Sequence, residues 1–319
     1  MDLSIIIVNW NTRDLLAQCL ESIISSRISV ARHKAADLTT DDWLLTTEIF
    51  VVDNAPTDGS PQMVRELFPQ VRVIQNRENI GFARANNQAI SQSAGRYVLL
   101  LNPDTEVQPG ALETLARFIG AHPQAGAAGA RLLNSDGTLQ TSCYPAPTLS
   151  REFWRLFHLD VLWPYACYDM AGWDLNTPRE VNVVQGACLI LRREALDQVG
   201  WLDEDYFIYS EEVDLCHRLR QHGWQVYWVP QAVVVHYGGQ STRQMAAAMF
   251  LCLYQGKIIY FRKHHGWLAA QVYKLILLAA ALTRLLLSPL AWLERPPQRQ
   301  QHLALVGHYR RLVMMLPGF

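Results

Sequence analysis

The chain has 319 residues, half of them hydrophobic, and a formal net charge of -1. That length admits one large domain or two modest ones around a sizeable core. The near-zero balance excludes the broad basic field that nucleic-acid binding needs, so an anionic ligand must be held by local groups.

Leu3 to Asn9 (LSIIIVN) is a short, continuous apolar run rich in isoleucine, the pattern of a strand buried on both faces of a parallel sheet. Asp2 precedes it directly, with no basic segment and no cleavage site, so no secretory signal is expected. Thr12 offers an N-cap to a helix carrying Leu15, Leu16, Cys19, Leu20 and Ile23. Residues 27–47 are polar and read as an inserted, irregular loop. Glu48 to Val52 predicts a second strand ending at Asp53, and Ser60 to Phe68 a helix. Val71 to Gln75 predicts a third strand, Ala83 to Ser93 a helix, and Tyr97 to Leu101 a fourth strand ending at Asn102. Strands and helices alternating in this way predict an α/β domain with a mainly parallel sheet.

Residues 131–180 are less regular and rich in aromatic residues and proline. A strand-like VNVVQGACLILR follows, then a helix from Arg193 to Val199, a helical segment YSEEVDLCHRLRQHGW, and the strand-like QVYWVPQAVVVHYGG. The predicted division falls at 1–244 and 245–319, where the chain turns to long apolar helices with basic residues. The six cysteines are scattered, with no C-x-x-C pair, which argues against a structural zinc site and suits a reducing compartment.

Ligands of open α/β sheets bind outside the carboxyl ends of the strands. Asn9, Asp53, Asn76 and Asn102 to Asp104 fall at those ends. A carboxylate such as Asp104 can hold a divalent cation, since Mg²⁺ uses one or two carboxylates together with phosphate oxygens. Asn-Pro-Asp is equally an ordinary turn sequence. Asp53 stands where a base or ribose can donate to it, inside a segment (DNAPTDGS) that is also a turn. Gly81 precedes a helix whose free N–H groups suit a phosphate, with Arg84 nearby. Glu211, Glu212 and Asp214 crowd a helix N-terminus, where acids complement the dipole and one carboxylate could serve as a general base. His236, after a VVV run, is either a metal ligand or a buried structural histidine.

Seven segments, SIIIVNWN, IFVVDNAPTDGS, NIGFARANN, YVLLLNPDTEV, VQGACLILRREAL, YSEEVDLCHRLRQHGW and VPQAVVVHYGG, together resemble glycosyltransferase family 2, and more closely its bacterial rhamnosyltransferase-like branch. They run in the expected order over roughly residues 1–240. The resemblance implies a GT-A, Rossmann-like fold and inverting transfer from a nucleoside-diphosphate sugar. It implies a donor-binding set of Asn9, Asp53, Asn79, Gly81, Arg84, Asn102, Gly186 and Ala187. Asp104 and His236 would meet Mg²⁺ or Mn²⁺, with Asn102 and Asp104 at the D-x-D position. Glu212, or its neighbour Glu211, would be the catalytic base. The branch points to dTDP-rhamnose as donor and a cell-surface polysaccharide or lipid-linked glycan as acceptor. Two departures stand out: D-x-D reads Asn-Pro-Asp, leaving one carboxylate, and the usual Glu-Asp pair reads Glu-Glu.

A nucleotidyltransferase is disfavoured because the turn after the first strand (Asn9, Trp10, Asn11, Thr12) lacks glycine, and a dehydrogenase because no G-x-G-x-x-G follows it. A non-catalytic nucleotide-sugar-binding subunit is the alternative that Asn102 keeps open. Residues 268–293 are apolar enough to consider a membrane span, but Lys274 and Arg284 interrupt them and Pro289 bends their end. With Lys257, Arg262, Lys263, Arg295 and Arg299 around them, they are expected to lie on or dip into the cytoplasmic leaflet as a membrane-associating extension. The alternative is a helical pair packed on protein. The expected location is the cytoplasm, peripheral on the inner face of the cell membrane.

Overall fold

The computed structural model describes residues 1–36, 45–239, 245–289 and 296–319. They form two compact units: Met1–Ala146 with Asp169–Phe207 and Glu211–Gln244, and Pro147–Tyr168 with Ile208–Ser210 and Met245–Phe319.

The first unit is built on strands β1 (Leu3–Asn9), β2 (Thr47–Asn54), β3 (Arg72–Asn76), β4 (Tyr97–Leu101), β5 (Thr105–Val107) and β6 (Ala125–Leu133). Five more follow: β7 (Cys143–Tyr144), β8 (Arg179–Glu180), β9 (Val183–Val184), β10 (Cys188–Arg192) and β11 (Gln225–His236). The main sheet runs β3-β2-β1-β4-β10-β6-β11-β5, with β8 on β11 and a separate β7-β9 pair. Strands β1 to β4 pair in parallel, as the alternation of strands and helices predicts, and so do β6 and β11. Strand β10 enters antiparallel between β4 and β6, so the sheet is mixed.

Every residue of β1 and β4 is buried, which is why both read as unbroken apolar runs. Leu3, Ile5 and Ile7 pack in one core with Leu16, Cys19 and Leu20 of helix α1 (Arg13–Ala36). Helices α2 (Ser60–Leu67) and α4 (Ala111–Ala121) add Met63, Val64, Leu112 and Leu115 to that core, and α3 (Phe82–Ile90) packs on β1 and β2 outside it. Leu99 is fully buried there, so its truncation to alanine costs about 2–5 kcal/mol.

Two sequence expectations change. Helix α1 continues to Ala36, so the first part of the 27–47 segment is helical rather than loop; residues 37–44 lie outside the described residues. VNVVQGACLILR is two strands, β9 and β10, separated at Gln185 to Ala187. That break matters, because Gly186 and Ala187 sit in it.

The second unit holds α5 (Leu149–Leu156), α8 (Ala246–Leu287) and α9 (Pro296–Met315); α6 (Arg193–Val199) and α7 (Glu211–Gln221) belong to the first. Thr148 caps α5 by accepting from Arg151 N–H at 3.2 Å. Glu152 of α5 is buried and paired with Lys257 of α8 at 2.9 Å and with Arg155. Gly256 lets α8 approach closely: a Cβ there would lie 2.7 Å from Tyr209 O. Helix α8 breaks at Gly266 (φ 85°, ψ 170°), ahead of the bend expected at Pro289. It is long and apolar enough to cross a membrane by length and composition. Residues 290–293 and Arg295 lie outside the described residues.

Candidate active site

The register aligns the predicted ligand-binding ends. Asn9 pairs with Asp53 across β1 and β2, and Leu101 faces Ile7 of β1 on one side and Cys188 of β10 on the other. Asn9 and Asp53 therefore meet directly: Asn9 Nδ2 donates to Asp53 Oδ2 at 3.2 Å, and Thr12 Oγ1 donates to Asn9 Oδ1 at 2.6 Å. Asp53 is fully buried, and its Oδ1 has no hydrogen-bond partner among the described residues. Burial pushes its carboxyl up to about 6, against the opposing pull of the Asn9 amide. An enclosed, half-satisfied carboxylate is poised to accept a hydrogen bond from a ligand.

Beside it, Asn54 organises the loop before α3. Its Nδ2 donates to Asn79 Oδ1 (2.8 Å) and Gly81 O (3.2 Å), and its Oδ1 accepts from Ile80 N–H (3.2 Å) and Asn76 Nδ2 (3.1 Å). Asn79 Oδ1 also accepts Gly81 N–H at 3.0 Å. Gly81 has φ 89°, and a Cβ on it would lie 2.6 Å from Phe207 O, so only glycine fits without strain. Here the helix-end expectation changes. Phe82 N–H, one of the free donors expected to face a phosphate, donates to Phe207 O at 2.6 Å. Arg84 is more than half exposed and faces Glu204 at 3.5 Å. Glu204 is held in turn by Asn87 Nδ2 at 3.1 Å.

The third cluster gathers around β4 and β11. Strand β5 returns antiparallel to β11, setting Thr105 opposite His236, and Tyr237 N–H donates to Asp104 O at 2.9 Å. This brings His236 Nε2 to 3.3 Å from Asp104 Oδ1 and 3.3 Å from Asn102 Nδ2. Asp104 and His236 are each 5% exposed. Gln140, which sequence reasoning missed, fixes the ring. Its Nε2 donates to Asn134 Oδ1 (2.9 Å) and His236 O (3.2 Å), so its Oε1 accepts from His236 Nδ1–H at 2.6 Å. With Nδ1 engaged by Gln140, Nε2 is the ring atom that faces Asn102 and Asp104. No spacing signal marks Gln140, because it comes from a loop 96 residues away in the chain.

Asn102 N–H donates to Ala187 O at 2.9 Å, joining this cluster to the β9–β10 break. Beside Ala187, a Cβ on Gly186 would stand 3.7 Å from Glu212 Cβ. The glycine thus leaves room directly against the carboxylate-bearing side chain. Glu211 is buried, its Oε2 has no hydrogen-bond partner among the described residues, and burial together with the adjacent Glu212 raises its carboxyl well above the usual range. Glu212 is only half-buried. Asp214 pairs with Arg218 one helical turn on, at 2.7 Å, and Arg218 also donates to Val199 O, Gly200 O and Trp201 O. That arginine fixes α7 against the end of α6. Tyr209 and Ser210, just before α7, both have positive φ (69° and 72°), so Ser210 lacks the extended backbone of an ordinary N-cap.

For a divalent cation the donor set fits in part. Asp104 and His236 offer one oxygen and one nitrogen, and Asn102 stands beside them. Among the described residues no group of three or more His, Cys, Asp or Glu shares a site, so further positions fall to water or a ligand's phosphates.

The sequence profile described as Glycosyl transferase family 2 matches residues 4–200. A relative from Mycobacterium tuberculosis, N-acetylglucosaminyl-diphospho-decaprenol L-rhamnosyltransferase, is 32% identical over 234 residues, 69% of this chain and 76% of that protein. The solved structure of mannosyltransferase PcManGT from Pyrobaculum calidifontis, in complex with GDP-Man and Mn²⁺, matches with a TM-score of 0.55 at 19% identity, over 99% of this chain and 84% of that one. Residues 1–349 of S. aureus TarS match with a TM-score of 0.51 at 16% identity, over 100% of this chain and 92% of that one. At these identities the two structures speak to the fold alone.

Proposed function

The chain belongs to glycosyltransferase family 2, and from that premise we propose that it transfers rhamnose from dTDP-rhamnose, with inversion, to a hydroxyl of a lipid-linked glycan in cell-surface polysaccharide assembly. The observation that carries the proposal is the meeting of Glu212 and Gly186 beside the Asn102, Asp104 and His236 cluster. The donor and acceptor identities rest on the mycobacterial relative, whose name states a rhamnose and a decaprenol-linked acceptor.

In this reading the nucleotide lies against Asp53, Asn9 and the loop held by Asn54. Asn79 and Gly81 shape the neighbouring wall, and Arg84 turns from Glu204 to the diphosphate when donor enters. Gly186 leaves the space for the sugar or acceptor, while Ala187, expected beside it, is buried in the core and accepts Asn102 N–H through its carbonyl. Glu211 is enclosed and its carboxyl is raised by burial and by its neighbour, which favours the half-buried Glu212 as the base. Glu212 takes the proton of the acceptor hydroxyl; that oxygen bonds to the anomeric carbon from the face opposite the diphosphate, whose bond to the sugar breaks with its electron pair. Asp104 and His236, with Asn102, would hold Mg²⁺ or Mn²⁺, which when bound would offset charge on the leaving diphosphate. We assign residues 1–244, apart from the 147–168 segment that groups with the tail, to catalysis, and residues 245–319 to peripheral attachment at the cytoplasmic face of the membrane. Family membership together with the rhamnosyltransferase relative supports an enzyme over the binding-subunit alternative.

The test is a donor screen. Purified protein is incubated with nucleotide sugars and a membrane lipid extract, with Mg²⁺, Mn²⁺ or EDTA, and released nucleoside diphosphate is measured. Release from dTDP-rhamnose, abolished by EDTA, is expected. Turnover of a different donor would overturn the sugar assignment, and turnover in EDTA the metal.

A further inference from the structure

The two units carry opposite charge. The second holds 11 Lys and Arg against 3 Asp and Glu, net +8, while the first holds 17 against 26, net -9. The near-neutral total conceals a strongly cationic module.

That module also exposes apolar side chains in an ordered pattern. After the Gly266 break, α8 presents Leu268, Val272, Leu275, Ala279, Leu282 and Leu286 to solvent, a stripe at alternating three- and four-residue spacing. The opposite side of the same helix, through Tyr273, Leu277 and Ala280, is buried. Within the unit, Trp163 from the loop after α5 and Ile276 of α8 line one cavity of about 570 Å³, so loop and helix share a surface. In that loop Val161, Leu162 and Trp163 are 88%, 77% and 68% exposed.

Three consecutive exposed apolar residues would usually collapse inward, but this loop is tied outward. Leu162 and Trp163 N–H groups both donate to Leu159 O (2.9 and 3.2 Å), and Tyr165 N–H to Trp163 O (2.8 Å). Trp154 Nε1 donates to the same Trp163 carbonyl at 2.8 Å, and Asp160 Oδ1 accepts Ala166 N–H at 2.9 Å. The Leu162, Trp163 and Tyr165 N–H groups are thus engaged within the loop, which lowers the cost of setting it among lipid headgroups. Arg262 and Lys263 are exposed just before the break, and Trp267 just after it, the aromatic-and-basic edge that suits a headgroup layer.

We propose that the 161–163 loop and the leucine stripe of α8 form one face that inserts into an anionic lipid bilayer. The proposal rests on the peripheral-membrane reading above and adds the loop, which lies about eighty residues before the tail, and the lipid charge. The charge excess favours this occupant over a second copy of the chain, since two +8 units repel.

The experiment is vesicle co-sedimentation of the full-length protein with phosphatidylcholine alone or with phosphatidylglycerol added, alongside its sedimentation coefficient without lipid. Wild type is expected on the anionic vesicles and at least about tenfold weaker on the neutral ones. Val161→Ser/Leu162→Ser is expected to lose about tenfold in partitioning, and Leu268→Ser/Leu275→Ser/Leu286→Ser more. These side chains are exposed, so donor turnover in solution should be unchanged in both variants. Wild-type binding that the loop variant retains in full would overturn the inference and leave the tail as anchor. Equal binding to both vesicles would overturn the lipid charge. No binding by wild type would overturn the membrane reading itself. A dimer that the stripe variant turns monomeric, with vesicle binding unchanged, would assign the face to self-association.

Discussion

The sheet edge has two halves built on different principles. Around β1, β2 and α3 the polar groups are mostly amides, and they satisfy one another: Asn9 with Asp53, Asn54 with Asn76, Asn79 and Gly81, Asn87 with Leu202. Around β4, β10, α7 and β11 the groups are carboxylates and a histidine, buried or half-buried, with Glu211 pushed far from its ordinary titration range. The first half is a largely pre-formed cradle in which the buried Asp53 Oδ1 is left open to a ligand. The second concentrates ionisable groups in low dielectric, an arrangement that structure alone does not favour and that a substrate with its cation would relieve. Under the proposed function the difference gives binding to one half and chemistry to the other, and mutations should separate them.

The largest effect is expected at Glu212. Glu212→Gln should lower transfer by about 10³-fold while leaving donor affinity within a factor of about two, measured by initial rates and calorimetry. Asp104→Ala should come next, with loss of metal-stimulated turnover by about 10²-fold and weaker Mn²⁺ binding in the presence of nucleoside diphosphate, read by electron spin resonance. Gln140→Leu removes the acceptor of His236 Nδ1–H and should weaken Mn²⁺ affinity about tenfold, with Gln140→Glu recovering part of it. An unchanged Mn²⁺ affinity would make Gln140 a loop staple only.

On the cradle side, Asn54→Ala should raise the donor KM about tenfold with kcat nearly constant, because the Asn79–Gly81 loop loses its anchor. A fall in kcat at constant KM would break the division between the halves. The smallest effect is in pH. Asp53 ionises only above about 6 in the folded chain, so donor affinity should fall as pH drops through that value, and Asp53→Asn should flatten the profile. The stability term has the opposite sense. A carboxyl raised by burial contributes stability that is present below its unfolded value and is lost as pH rises through about 6. Thermal melts of wild type and Asp53→Asn across that window would show it.

Much of the first unit was legible because parallel strands buried on both faces announce themselves as apolar runs: β1, β2 and β4 stand close to where the pattern puts them. Strand β6 was not. Its sequence, AGAAGARLL, has neither β-branched residues nor alternation, since neighbours pack onto its bare backbone. A Cβ on Gly129 would lie 1.9 Å from Val184 Cγ1, and one on Gly126 2.8 Å from Trp224 Cβ. Helix α4, with Gly110 in the left-handed region before it, was equally unread. In the site, Asp53, Asp104 and the Glu211–Glu212 pair showed themselves as polar residues at the ends of apolar runs or at a helix start. Gln140 and Arg218 act through contacts that only the fold creates, and the engagement of Phe82 N–H by Phe207 O reverses an expectation that local sequence supports.

The central claim is that Glu212 performs proton transfer while the amide cradle performs binding. The most direct test gives Glu212→Gln saturating dTDP-rhamnose and lipid extract and measures both the donor Kd and single-turnover transfer. The account predicts an unchanged Kd with transfer reduced by about 10³-fold. Transfer at the wild-type rate, or a Kd weakened in step with the rate, would contradict it.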